Sequence, residues 1–183
     1  MQVRTVTPSQ PNFGMAFVKP TQMAKFKSFV TEKEKDSVLI GKGLEQIIKE
    51  QKNNKHFDIW HGYDGDTEGI MIRPNSAEAC KTFKDIKYSK DIPDRETPLT
   101  IMQEKLKKEK ALLNQSTSWY KKLVGRYRVF WAERNLKNML KNNPKYHLPK
   151  NLLYASEDAT MLAEELDEIL KTEKNIENAF KDY

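Results

Sequence analysis

The sequence predicts an α+β protein, with a small antiparallel sheet and helices in the N-terminal half and a helical hairpin or three-helix arrangement in the C-terminal half. Three observations point there. Apolar residues alternate along FDIWHGY and GIMIRP on either side of an Asp/Gly-rich turn, the pattern of a hairpin. From Thr97 onward every apolar periodicity is helical. Between them IKYSKDIPDRE, with Pro93 and mixed charges, reads as a linker, which divides the chain into an α+β region over 1–92 and a helical region over 97–183.

Taken in order, QVRTV and FGMAFV alternate well enough for one or two short strands around the turn TPSQPN. Thr21 after Pro20 marks a helix start, and Met23, Phe26 and Val30 follow at helical spacing. Ile40, Leu44, Ile47 and Ile48 form the stripe of a second helix, which Asn53 and Asn54 end; Gly41 and Gly43 weaken its first turn. In the hairpin, Phe57, Ile59, His61 and Tyr63 share one face, opposite Asp58 and Trp60. Ser76 caps a short helix that places Cys80 and Phe83 on one side.

Thr97 caps the next helix with Pro98 at its first position, where a missing N–H costs nothing, and Leu99, Met102, Leu106 and Leu113 line it. Ser118 caps a long helix to Leu140, with Leu123, Tyr127, Phe130 or Trp131, and Leu140 as the expected buried stripe. NNPKYHLPKN holds two prolines and reads as a loop. Ser156 is the expected cap of the last helix, followed by Glu157 and Asp158 at its positive end and by the stripe Leu162, Leu166, Ile169, Ile176 and Phe180.

At 183 residues the chain is long enough to bury a core without disulfides, and its single cysteine, Cys80, precludes one within a monomer. Together with the lack of a signal-like stretch at MQVRTVTPSQ, this fits a soluble protein of the reducing cytoplasm. No apolar run approaches the ~20 residues of a membrane helix. The net charge is +6 and 32% of residues are charged, against 38% hydrophobic.

HGYDGDTEG is the stretch most like a site. Asp64, Asp66, Glu68 and Gly69 match the opening of a calcium loop, but Asn75 stands where the bidentate Glu belongs and strands flank it. Asp and Gly are also what a tight hairpin turn requires, so a turn is the expected reading and Asp64, Asp66 and Glu68 are weak metal candidates. A nuclease-like pair, Asp58 with Glu68, lacks the lysine two residues on, where Ile70 stands. His61 is expected to point into the apolar layer, and HxxxxH from His56 is not a usual zinc spacing. Cys80 has no sequence context as a nucleophile and is expected to be buried. No phosphate loop, GxGxxG or GxSxG is present, so no catalytic residue and no cofactor are expected.

The strongest physical signal is charge polarity. Residues 119–150 carry nine basic side chains against one acid, Glu133, whereas 151–183 carry nine acids against three lysines. Lys121, Lys122, Arg126, Arg128, Arg134, Lys137 and Lys141 on one aromatic-bearing helix are the candidate nucleic-acid contacts. The competing arrangement, favoured by the short connection, has the acidic final helix fold back antiparallel on the basic one, with Trp119, Tyr127, Phe130 and Trp131 in the core. Three functions are consistent with these features. The leading one is a non-enzymatic binding protein that contacts nucleic acid or a nucleoprotein through the basic helix. Next is a protein-interaction or inhibitor module of a mobile element acting on a protein partner through the acidic helix. The third is a metal-dependent hydrolase using Asp58, Asp64, Asp66 and Glu68.

Overall fold

A computed structural model describes residues 18, 20, 22–32, 36–64 and 67–181, with backbone only at 63, 64, 67 and 181. Helices α1 (Met23–Val30) and α2 (Ser37–Glu50) precede strands β1 (Phe57–Asp64) and β2 (Thr67–Pro74). The short α3 (Ala77–Thr82) leads to β3 (Ile86–Ser89), followed by α4 (Pro98–Gln115), α5 (Trp119–Asn142) and α6 (Lys150–Lys181). This is the predicted α+β class.

The hairpin forms because alternation puts Phe57, Ile59 and His61 on one side, with Ile72 and Ile70, the partners of Ile59 and His61, on that same side. β3 extends the sheet antiparallel, with Tyr88 opposite Ile70 and Ile86 opposite Ile72. The segment 86–89, expected to be linker, is therefore a strand; its alternation is only four residues long and was outweighed by the charges around it. Phe57, Ile59, Ile70, Ile72 and Tyr88 are all buried, and α6 packs on the three strands, adding Leu152, Leu153, Ala155, Ala159 and Leu166 to the core.

α6 also departs from expectation at its start. It begins at Lys150 rather than at Ser156, and the Pro149 carbonyl accepts from the amides of both Leu152 and Leu153 at 3.0 Å. Residues 151–156 are buried without a break, so this turn of helix is buried on all sides and shows no amphipathic stripe to detect. Ser156 lies inside it, and the expected loop shrinks to a 3-10 turn over Pro144–His147.

Phe26, Phe29 and Val30 bury α1, whose cap position is Gln22, without a side-chain bond; the expected cap Thr21 lies outside the described residues. So do the expected strands before Val18, whose own amide donates to the Ile59 carbonyl at 3.0 Å. Asp36 caps α2 through the amides of Val38 and Leu39, and Ile40 and Ile47 are buried while Ile48 sits at the rim. Ser76 caps α3 as expected, but Ala79 is the buried residue there and Cys80 is exposed, because the helix turns its 79 position to the sheet.

A polar network joins α2, β1 and α6. Gln51 Nε2, fully buried, donates to the Ser156 carbonyl at 2.7 Å and to Thr160 Oγ1 at 2.7 Å. Asn54 Nδ2 donates to Gln51 Oε1 and to the Ala159 carbonyl, while Asn54 Oδ1 accepts from the amides of His56 and Phe57. Every polar atom of the Asn54 side chain is thus used, as burial requires.

The two glycines of α2 differ in kind. A β-carbon at Gly43 would lie 2.7 Å from the Pro144 carbonyl oxygen, so the 3-10 turn can approach only a glycine, whereas one at Gly41 meets nothing within 4 Å. Gly43→Ala is expected to lower stability by about 1–3 kcal/mol through this backbone clash, and Gly41→Ala to raise it by about 0.5–1 kcal/mol through helix propensity alone. Urea midpoints of the two variants check the contrast.

Candidate nucleic-acid interface

α4 and α5 form an antiparallel hairpin. Thr97 caps α4 with Pro98 at the first position, and Thr100 completes a reciprocal capping box. Ser118 holds the cap position of α5, although its hydroxyl makes no cap bond. Just ahead of α4, Arg95 fastens the hairpin to the body: its amide donates to Tyr154 Oη at 3.0 Å and its Nη1 to Asp158 at 2.7 Å. Tyr88 Oη donates to the same carboxylate. Burial, then the bond to Asp158, holds the Tyr88 phenol well above its ordinary pKa, and bonding to Asp158 raises Arg95.

Within the hairpin no side chain is fully buried, and the half-buried seam of α5 runs through Val124, Gly125, Val129, Ala132, Leu136 and Met139. Gly125 marks its closest approach: a β-carbon there would lie 3.0 Å from Leu113 Cδ1, so α4 comes near where the side chain is smallest. The expected stripe is therefore displaced. Leu123, Tyr127, Phe130 and Trp131 are 60%, 64%, 56% and 40% exposed, and Trp119 is 77% exposed. The expectation that these aromatics form core is overturned, because Gly125 and the aliphatic side chains, rather than the aromatic rings, take the half-buried side.

The charges follow the same geometry. At 3.6 residues per turn, Arg126, Arg134, Lys137 and Lys141 share the outward face with Trp119, Leu123 and Phe130, and Lys122 lies at its edge. Lys121 and Arg128 turn instead to the side where α4 and α5 leave open grooves. One groove, of about 520 Å³, is lined by Met102, Lys105, Tyr127, Arg128, Trp131 and Asn135 and also holds the acid Glu109. Another, of about 560 Å³, holds Tyr120, Lys121 and Arg128. Lys105 and Asn135 had no signal in the sequence that singled them out, since only the pairing of α4 with α5 brings them beside Trp131.

The expected cancellation by the final helix does not occur. α6 packs on the sheet, and α5 packs principally on α4. The one acid of α5, Glu133, pairs with Lys110 of α4 at 2.8 Å. Of the nine basic residues in 119–150, Lys145 pairs with Glu50 and Lys150 with Asp94. Lys121, Lys122, Arg126, Arg128, Arg134, Lys137 and Lys141 form no ion pair among the described residues, and Arg134 lies over the Trp131 ring at 5.2 Å.

The other candidate sites are accounted for locally. His61 is buried between Phe26 and Phe29, with ring centroids 5.1 Å from each, and its Nε2 lies 3.1 Å from Glu68 Oε1. Glu68 also pairs with Lys90, whose pKa is raised by its bonds to Glu68 and Glu32. Strand alternation puts Glu68 on the His61 face and Asp58 on the opposite one, so the two cannot hold one ion between them. Burial pushes the Asp58 carboxyl up, against a bond from Asn75. The Asp64 side chain and Asp66 lie outside the described residues. Among the described residues no three His, Cys, Asp or Glu side chains come together to hold a metal.

His56 does form a relay that the sequence did not reveal. Ser76 Oγ lies 2.8 Å from His56 Nδ1, and His56 Nε2 lies 3.0 Å from Asp167 Oδ1. The geometry gives both nitrogens of a buried imidazole a partner, Asp167 at Nε2 and Ser76 at Nδ1, and the Ser76 oxygen also accepts from the Ala79 amide as the cap of α3. The bond from His56, then that from Lys55, holds the Asp167 carboxyl below the usual range. A nucleophilic serine needs its hydroxyl free toward a cleft; this one is committed to the helix end, and the relay pins α6 to β1 and α3.

Among the described residues no helix is long and apolar enough to cross a membrane. In comparison with known proteins, no family model, no curated protein and no solved structure matches the chain.

Proposed function

We propose that the protein is a non-enzymatic binding protein whose α4–α5 hairpin contacts nucleic acid, alone or within a nucleoprotein, through the outward face of α5. The observation that supports this most is the row Arg126, Arg134, Lys137 and Lys141, exposed, unpaired among the described residues and interleaved with exposed aromatic rings. The one acid of that helix, Glu133, is engaged by Lys110 of α4, so among the described residues no carboxylate pairs with the row. Phosphates supply the opposite charge, and each contact releases condensed counterions, so affinity falls steeply with salt. The lone thiol, exposed on α3, suits the reducing cytoplasm in which such a protein would work.

A second reading, a protein partner bound by α6, is favoured by the described side chains of 171–180. All are exposed, with Ile176 at 53% and Phe180 at 73%. Fluorescence anisotropy with labelled oligonucleotides across a salt series separates the two. The nucleic-acid reading expects log K to fall by about 0.7 per phosphate contact for each tenfold rise in salt. No oligonucleotide binding, or binding indifferent to salt, rejects it in favour of the protein partner.

A further inference from the structure

Resting on that reading, we propose that the ligand of α5 is single-stranded, and that its unpaired bases stack on the cluster Tyr127, Phe130 and Trp131 while Arg134, Lys137 and Lys141 hold the adjoining phosphates. The cluster is preformed. Trp131 meets Tyr127 and Phe130 with ring centroids 6.1 Å apart in each case and interplanar angles of 70° and 79°. No two of these rings lie face to face and all three remain exposed; Arg134 covers one face of Trp131, and flat aromatic surface is left on the rest of the cluster for another planar group.

The cations continue from the rings along the same helix. Arg134, one turn beyond Phe130 and Trp131, already stands over the Trp131 ring, where its guanidinium reaches a phosphate attached to a stacked nucleotide. Lys137 and Lys141 follow at one-turn steps, so Phe130 to Lys141 spans about 16 Å of helix. A duplex matches this face poorly. Its bases present edges rather than faces, and a helix entering the major groove reads them with polar side chains, whereas this face leads with Trp119 and Phe130, with Tyr127 and Trp131 at its groove-side edge. Against duplex phosphates those rings would lie on charged backbone and gain little. Unpaired RNA and unpaired DNA share the chemistry recognised here, since every base has a π-face.

The test uses the full chain with fluorescein-labelled dT20, U20 and a 20-base-pair DNA duplex, with affinities compared at one salt concentration and slopes taken across a salt series. The proposal expects dT20, U20 or both to bind at least tenfold more tightly than the duplex and to quench tryptophan emission. Trp131→Ala is expected to weaken single-strand binding by roughly ten- to a hundred-fold and to leave duplex binding and the salt slope unchanged, while Trp131→Phe retains most of the affinity. Circular dichroism checks that each variant folds. Duplex binding as tight as that of the better-bound single strand, or an unaltered affinity in Trp131→Ala, overturns the stacking proposal while a steep salt slope leaves nucleic-acid binding standing. No binding to any of the three overturns both. The comparison of dT20 with U20 identifies which single strand is preferred.

Discussion

Alanine at Arg126, Arg134, Lys137 and Lys141 together weakens binding to a single-stranded oligonucleotide by roughly a hundred- to a thousand-fold at about 0.1 M salt, with the slope of log K against log salt reduced by about 3. The size follows from counterion release. Each phosphate contact contributes about 0.7 log units of salt dependence on a single strand, which near 0.1 M corresponds to about 1 kcal/mol of affinity. All four side chains are exposed and none pairs with a carboxylate among the described residues, so removing them leaves no buried group unpartnered. The variant should therefore unfold at the wild-type denaturant midpoint, within about 0.5 kcal/mol. Anisotropy and urea denaturation measured side by side separate the binding effect from a folding effect.

Asn54→Ala has the opposite profile, with a loss of about 3–4 kcal/mol of stability and no direct effect on the hairpin's affinity. The Asn54 side chain uses both its oxygen and its amide inside the protein. Its removal strands the amides of His56 and Phe57, which otherwise donate to Asn54 Oδ1 at 3.2 and 3.1 Å. It also deprives Gln51 Oε1 and the Ala159 carbonyl of a donor. With Gln51 wholly buried and Asn54 only 9% exposed, water cannot readily take the vacant places. Asn54→Asp keeps the acceptor for the two amides but loses both donors and puts a carboxylate beside Gln51 Oε1, so it is no rescue. The urea midpoint and slope of both variants check this: a shifted midpoint at constant slope reports lost stability without a change in the surface exposed on unfolding.

The sheet and the helices were legible where one physical signal dominated. Alternation with a two-sided environment announced β1 and β2, and Thr97 with Pro98 announced α4 through local chemistry alone. β3 failed because four residues carry little periodicity, and the start of α6 failed because a segment buried on every side has no amphipathic face. The polar ties were invisible for another reason. Asn54 looks like a helix terminator, and His56 like a residue preceding a strand, until α6 brings Ala159 and Asp167 across from more than a hundred positions away.

For the candidate interface the residue types were legible and their orientation was not. A helix with Trp, Tyr and Phe on one side and Val, Gly and Ala on another suggests burial of the larger set by transfer energetics. Here close approach of α4 selects the smaller one, with Gly125 against Leu113. The charge polarity of the chain likewise gave no sign of which partner each block would meet. Because the first residues of α6 complete the core beneath the sheet, the acidic helix is held there, and the basic row on α5 is left facing solvent.

Amine-reactive footprinting of the full chain, free and bound to a single-stranded oligonucleotide, tests the display of that row most directly. Protection of Lys137 and Lys141 on binding, with Lys84 on the body and Lys171 and Lys174 on α6 modified as in the free protein, is the predicted result. Unchanged modification of Lys137 and Lys141 in the bound state, or protection confined to lysines outside the α4–α5 hairpin, would contradict it.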